Sequence, residues 1–247
     1  MLDAWEMLGF TLIRMGRTKE GIEAVEKMLH IDPTNVTAHL ALAKVYALEG
    51  KLDLAETHAE IGSGKNPGQG NEMLAQVMMD RGDLVRASEL ARKSLAADGR
   101  RIMSHFILGV VAQRAGRYEE AVGHFRQAVE AKKLQKRTVV RHLHANLADC
   151  LARLGREQDA EEEFRAEIEA IPASEAGRVG LAMLYRSQGR DAEARGVLGG
   201  LIAALPQPTA DTYWTVVQTL SILGDAAASR EWAERAQGRF PGDRRFR

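Results

Sequence analysis

A chain of 247 residues with one cysteine, Cys150, has room for one large domain or two small ones and holds neither an internal disulfide nor a cysteine-rich metal site. Lys and Arg number 34 against 34 Asp and Glu, so the basic excess that phosphate binding draws on is missing and nucleic acid is not an expected partner. Aromatics make up only 5% and prolines number six, while Ala, Leu, Glu and Arg abound; these residues lose little rotamer freedom in a helix, and the expected class is all-α.

The start, Met1-Leu2-Asp3-Ala4-Trp5, has no basic segment followed by an apolar core, so no signal peptide is read there. No apolar run reaches the roughly 18 residues of a membrane span. A cytoplasmic location is the reading, with the compartment otherwise open.

From the first element onward the chain repeats itself. Gly16, Gly50, Gly82, Gly116, Gly155, Gly189 and Gly224 lie 34, 32, 34, 39, 34 and 35 residues apart. Five residues after each stands Gly21, Ala55, Ala87, Ala121, Ala160, Ala194 or Ser229. Eight before each stands Leu8, Leu42, Leu74, Leu108, Leu147, Leu181 or Val216, in six cases followed by Gly or Ala. Pro33, Pro67, Pro172, Pro206 and Pro241 follow the glycine by seventeen. Each column has a physical task. A left-handed glycine ends the first helix of a hairpin, small residues let two helices approach, leucines form one face, and proline closes the second helix. The predicted hairpins span 2–35, 36–67, 68–101, 102–135, 141–174, 175–208 and 210–243, as one array over 1–247 with an insertion at 136–140.

Two places depart from the period. Around Gly62 to Gly70 the spacing shortens by two, which predicts a shortened second helix and a loose turn. Its Gly64-Lys65-Asn66 lacks the spacing and the preceding strand of a phosphate loop. Near Leu134 to Val140 five residues are added without glycine or proline, which predicts a lengthened helix. The run of Lys132, Lys133, Lys136, Arg137 and Arg141 there reads either as a solvated helix end or as a dock for an acidic segment.

The first repeat, with Trp5, Leu8, Gly9, Leu12, Gly16, Gly21, Val25, Met28 and Pro33, and the fourth, with His105, Leu108, Gly109, Ala112, Gly116, Tyr118, Ala121, Phe125 and Ala128, resemble the tetratricopeptide repeat. The resemblance covers essentially the whole chain. It implies a right-handed α-solenoid of antiparallel hairpins and a non-catalytic scaffold binding a peptide or partner domain in its concave groove. The first helices would line that groove, which carries over to Phe10, Arg14, Leu40, Lys44, Gln76, Phe106, Val110, Arg114, Asn146, Asp149, Arg153, Met183, Arg186, Trp214 and Gln218, with Glu6, Ile13 and Met79 beside them. Arginines among apolar anchors suit an acidic, partly hydrophobic peptide, unless the arginines pair with acids inside the array and the apolar residues pack between repeats.

The last three repeats are similar to repeat tails of larger bacterial proteins, some with a sulfatase-like hydrolase upstream, which gives an accessory module as the second reading. Self-association through uncapped ends is the third. No catalytic motif is visible and no cofactor or metal is expected. His142 and His144 point about 200° apart on a helix. His39, His105 and His144 stand in the column of Trp5 and read as packing residues. Cys150, beside Leu147 and Leu151, reads as a buried, inert thiol, and Glu161 to Glu163 as an exposed acidic face.

Overall fold

The computed structural model describes residues 2–135 and 140–246. The described residues form fourteen α-helices and one 3-10 turn, with no strand among them. The chain divides into two compact units, Met1–Thr138 and Val139–Arg247.

The first unit holds four hairpins: α1 (Leu2–Arg14) with α2 (Thr18–Ile31), α3 (Val36–Leu48) with α4 (Leu52–Lys65), α5 (Pro67–Arg81) with α6 (Leu84–Ala97), and α7 (Ile102–Arg114) with α8 (Tyr118–Leu134). The second holds three: α9 (Leu143–Arg153) with α10 (Glu157–Ala170), α11 (Glu175–Ser187) with α12 (Asp191–Ala203), and α13 (Ala210–Ile222) with α14 (Ala226–Arg239). Within each unit every helix packs on the next, and first helices also touch one another, α3 on α5, α5 on α7 and α9 on α11.

All seven column glycines take a left-handed backbone, with φ between 72° and 83°. Each closes its helix with the same two bonds. After α1 the Gly16 N–H donates to the Ile13 carbonyl at 3.1 Å and the Arg17 N–H to the Leu12 carbonyl at 3.0 Å. This is the Schellman arrangement, which satisfies carbonyls that the helix end would orphan.

In the first unit the leucine column packs on the second helix of the hairpin before it: Leu42 joins Val25 and Met28, and Leu108 joins Ala87 and Ala91. Leu8 has no such helix beside it and is 45% exposed, whereas its equivalents from Leu42 to Val216 are buried. Small residues set the helix approach inside a hairpin. A Cβ on Gly109 would lie 2.5 Å from the Phe125 ring, which is fully buried.

The expectation at Gly62 to Gly70 is corrected. Helix α4 keeps 14 residues, as long as α2, and the turn shrinks to the single residue Asn66. Pro67 opens α5 instead of closing α4, a position where its missing N–H costs nothing. Glycine makes this tight junction possible, because a Cβ on Gly70 would fall 2.1 Å from the Ser63 Cα. At the other irregularity α8 runs 17 residues to Leu134. The expected continuation of that helix through 136–139 lies outside the described residues.

Candidate functional site

The groove residues expected from the sequence separate into three groups. The first lies on α1 and α3, where Phe10, Ile13, Arg14, Thr37, Leu40, Ala41, Lys44, Val45 and Leu48 line a cleft of about 460 Å³. The helical repeat produces it: Phe10, Ile13 and Arg14 share one face of α1, and Leu40, Ala41, Lys44 and Leu48 share one face of α3. Phe10 and Leu40 are half-buried, Leu48 is 77% exposed, and Arg14 and Lys44 are exposed. Among the described residues neither Arg14 nor Lys44 has a carboxylate within ion-pair distance. The cleft thus offers an apolar floor with two uncompensated cations at its edge. Thr37, Ala41, Val45 and Leu48 are lining residues that the expected positions left out.

In the second group, on α5 and α7, Gln76 and Met79 are half-buried and Arg114 is exposed. Phe106 and Val110, expected on the groove, are buried instead at 8% exposure each. The Phe106 ring tilts against Phe125 with centroids 5.9 Å apart, so it serves the core of the fourth hairpin.

The third group belongs to the second unit, where its arginines are engaged. Arg153 Nε donates to Asp149 Oδ2 at 2.9 Å, and Arg186 pairs with Asp191 at 2.6 Å. Asp149, Arg153 and Met183 line a cleft of about 300 Å³ together with Phe164 and Leu184. Met183 is exposed, Asn146 is half-buried and Gln218 is exposed.

Trp214 is covered. The turn Arg244–Phe246 folds back so that the Phe246 ring meets Trp214 edge-on at 5.9 Å, and Phe246 is buried with Tyr213, Val217 and Ala236. Arg245 fastens the turn by donating to Asp211 at 2.7 Å and to Asp243 at 2.6 Å. A signal for this was present. Asp243 follows Pro241 as Asn35 follows Pro33, so Phe246 falls in the register of Ala38, a buried position.

Three other expectations meet their environment here. Burial pushes the Cys150 thiol up to about 12, which leaves it protonated and a poor nucleophile. Glu161 does not stand on an exposed acidic face. Arg190 donates to it at 2.8 Å and Tyr185 at 3.0 Å, and Arg190 first, then Tyr185 and Arg165, hold its carboxyl below the usual range against burial. The histidines do pack, and in pairs described below. Among the described residues no three His, Cys, Asp or Glu side chains come together as a metal site, and no helix is long and apolar enough to cross a membrane.

With this geometry in view, comparison with known proteins finds two family models. The family described as T7SS, ESX-1 secretion system protein EccA1, N-terminal domain matches residues 70–214, and the tetratricopeptide repeat matches residues 12–72. No curated protein matches the chain. Among solved structures, the chain resembles one in the crystal structure of the APC/C hetero-tetramer Cut9-Hcn1, at 18% identity and a TM-score of 0.74 over 90% of this chain and 42% of that one. A tetratricopeptide repeat protein from Parabacteroides merdae ATCC 43184 aligns at 15% identity with a TM-score of 0.63, over 96% of this chain and 92% of that one. YrrB, described as a TPR protein with an unusual peptide-binding site, aligns at 20% identity with a TM-score of 0.52, over 78% and 95%. At such identities the likeness is one of fold. The chain spans less than half the length of the first of these structures.

Proposed function

Because the chain is a tetratricopeptide-repeat protein and belongs to the family of the EccA1 N-terminal domain, we propose that it is a non-catalytic scaffold that holds another protein by a peptide segment. The docking place is the cleft between α1 and α3. The segment is acidic, with at least one large apolar side chain. One observation carries this reading: Arg14 and Lys44, exposed and without an ion-pair partner among the described residues, border an apolar cleft of about 460 Å³. Guanidinium and ammonium groups left in water gain most from a carboxylate that brings its own apolar anchor to exclude that water. The arginines of the second unit already have carboxylates, which makes that face the poorer competitor. The family's name ties EccA1 to the ESX-1 secretion system, and a protein of such a system is the class of partner to try first.

The test is binding of synthetic peptides that flank one leucine or phenylalanine with aspartate and glutamate, followed by fluorescence anisotropy. The double variant Arg14→Glu, Lys44→Glu is expected to lose at least about tenfold in affinity, since two charge pairs turn from attractive to repulsive. Arg186→Glu is expected to bind as the parent does. Equal loss in both variants, or none in either, removes the cleft assignment.

A second reading, an accessory module within a larger protein, is favoured by the matched family being described as an N-terminal domain. That description sets the rest of such a protein after the repeats and not before them, where the sequence reading put a hydrolase. Head-to-tail self-association draws less support. Helix α14 turns Arg230, Glu231, Glu234 and Arg235 outward, a polar face that suits solvent better than the exposed Met7 and Leu8 of α1.

A further inference from the structure

Two hairpins of the first unit are closed by a pair of histidines in the same register. On α3 and α4 the Nδ1 atoms of His39 and His58 are 2.8 Å apart, and the His39 Nε2 lies 2.9 Å from the Pro33 carbonyl oxygen. On α7 and α8 the Nδ1 atoms of His105 and His124 are 3.5 Å apart, and the His105 Nε2 lies 3.1 Å from the Gly99 carbonyl oxygen. Each pair therefore ties a first helix both to its second helix and to the turn that precedes it. His39 itself is buried at 4% exposure, next in sequence to Leu40 on the floor of the cleft.

The protons can be counted. A carbonyl oxygen only accepts, so His39 and His105 carry hydrogen on Nε2. Their neutral rings then present a bare Nδ1, and His58 and His124 must donate from Nδ1. One added proton can be held, on either ring, with a single N–H still facing a bare nitrogen. A second cannot, because two N–H groups and two like charges would face each other at hydrogen-bond distance.

Few other groups face these rings. Tyr46 stacks on His58 at 5.6 Å, and Tyr46 in turn feels Glu26 from α2 and Glu49 and Lys51 from the turn between α3 and α4. His124 feels Glu120 of its own helix and Arg92 from α6. Among the described residues no carboxylate of α5 acts on either ring. Burial first, and the partner histidine second, hold both His58 and His124 below the usual histidine range. The unfolded chain then binds more protons than the folded one as the pH falls through that range, so stability present above it is lost below it.

We propose that these two pairs are acid-sensitive clasps, which loosen the second and fourth hairpins as the pH falls below the usual histidine range and so couple the shape of the cleft on α3 to pH. The same register in the fifth hairpin serves as an internal contrast. There His144 Nδ1 lies 2.6 Å from Glu163 Oε2, so a carboxylate stands where the second hairpin has its second histidine.

Hydrogen exchange of the full chain at pH 7.5 and 5.5, corrected for intrinsic exchange, tests this. Helices α3, α4, α7 and α8 are expected to exchange several-fold faster at pH 5.5, with α9 and α10 unchanged. His58→Gln keeps an amide donor but does not titrate, so it should abolish the effect in the second hairpin alone, as His124→Gln should in the fourth. Equal acceleration in all hairpins, or acceleration that survives in the substituted hairpin, overturns the proposal. Nitrogen-15 shifts of the wild-type histidines give a second measurement that needs no variant. At pH 7.5 His39 must be the Nε2–H tautomer and His58 the Nδ1–H tautomer, and two Nε2–H rings would contradict it.

Discussion

Glu72 on α5 reaches across to the start of α7 and accepts the backbone N–H groups of Met103 at 3.1 Å and Ser104 at 3.2 Å. The residue at the cap position of α7 is Arg101, whose side chain cannot accept a hydrogen bond. A carboxylate 31 residues away thus does what Asn35 does locally for α3, where its side chain accepts from the Ala38 N–H at 2.9 Å. Glu167 plays a similar part for α9, accepting from the His142 N–H at 3.2 Å and from Ser174 Oγ at 3.1 Å. Glu72→Ala should therefore cost about 1–2 kcal/mol, the range of a lost cap. Asn35→Ala should cost about as much, while Arg101→Asn added to Glu72→Ala should restore part of the loss. Denaturant unfolding of the three variants checks the pattern.

Two glycines should fail for different reasons. Gly82 has φ +83° and open space around its missing Cβ, so Gly82→Ala should cost about 1–2 kcal/mol through backbone strain alone. Gly109 lies in the middle of α7 with the Phe125 ring where a methyl would go, so Gly109→Ala should cost about 1–3 kcal/mol by overpacking. Adding Phe125→Leu should recover part of the second loss and none of the first. A double-mutant cycle followed by thermal melting reads the difference.

These glycines also mark how far sequence alone could go. The column that ends each first helix was legible because helix termination is local, and one residue type relieves the left-handed strain. The junction at Asn66 was misread because proline both ends a helix and begins one, and only the neighbouring glycines Gly62 and Gly70 distinguish the two cases. Which residues share a helix face was legible, since positions on a face follow from spacing. Burial of Phe106 and Val110, and pairing of Arg153 with Asp149, stood only as the alternative, because they depend on how closely helices approach and on which rotamer a long side chain adopts. Trp214 was misjudged for a simpler reason. Its cover, Phe246, comes 32 residues later, in a turn that keeps the repeat register without completing a helix.

The ion-pair network at Glu161 should give the second unit an acid-sensitive term. Its carboxyl is held below the usual range by Arg190, Tyr185 and Arg165, so the contribution is complete above that range and is lost as the pH falls through the depressed folded value. Melting temperature of the parent should fall between pH 5 and pH 3 more steeply than that of Glu161→Gln. Parallel curves would remove Glu161 from the acid response.

The tail that covers Trp214 should be separable from the fold around it. Phe246→Ala is expected to cost about 3 kcal/mol locally, as loss of a buried aromatic does, and to expose the Trp214 ring. A red shift of tryptophan emission and quenching by acrylamide would follow. An unshifted spectrum would mean that Phe246 does not shield Trp214 in solution.

The cleft between α1 and α3 is the claim on which the functional account rests, and methyl NMR of Ile13, Leu40 and Leu48 tests it most directly. Titration with an acidic peptide bearing one leucine or phenylalanine should shift these methyl signals to saturation, leave Met183 unmoved, and have no effect in the Arg14→Glu, Lys44→Glu variant. Shifts that appear at Met183 while Leu40 and Leu48 stay still would contradict it.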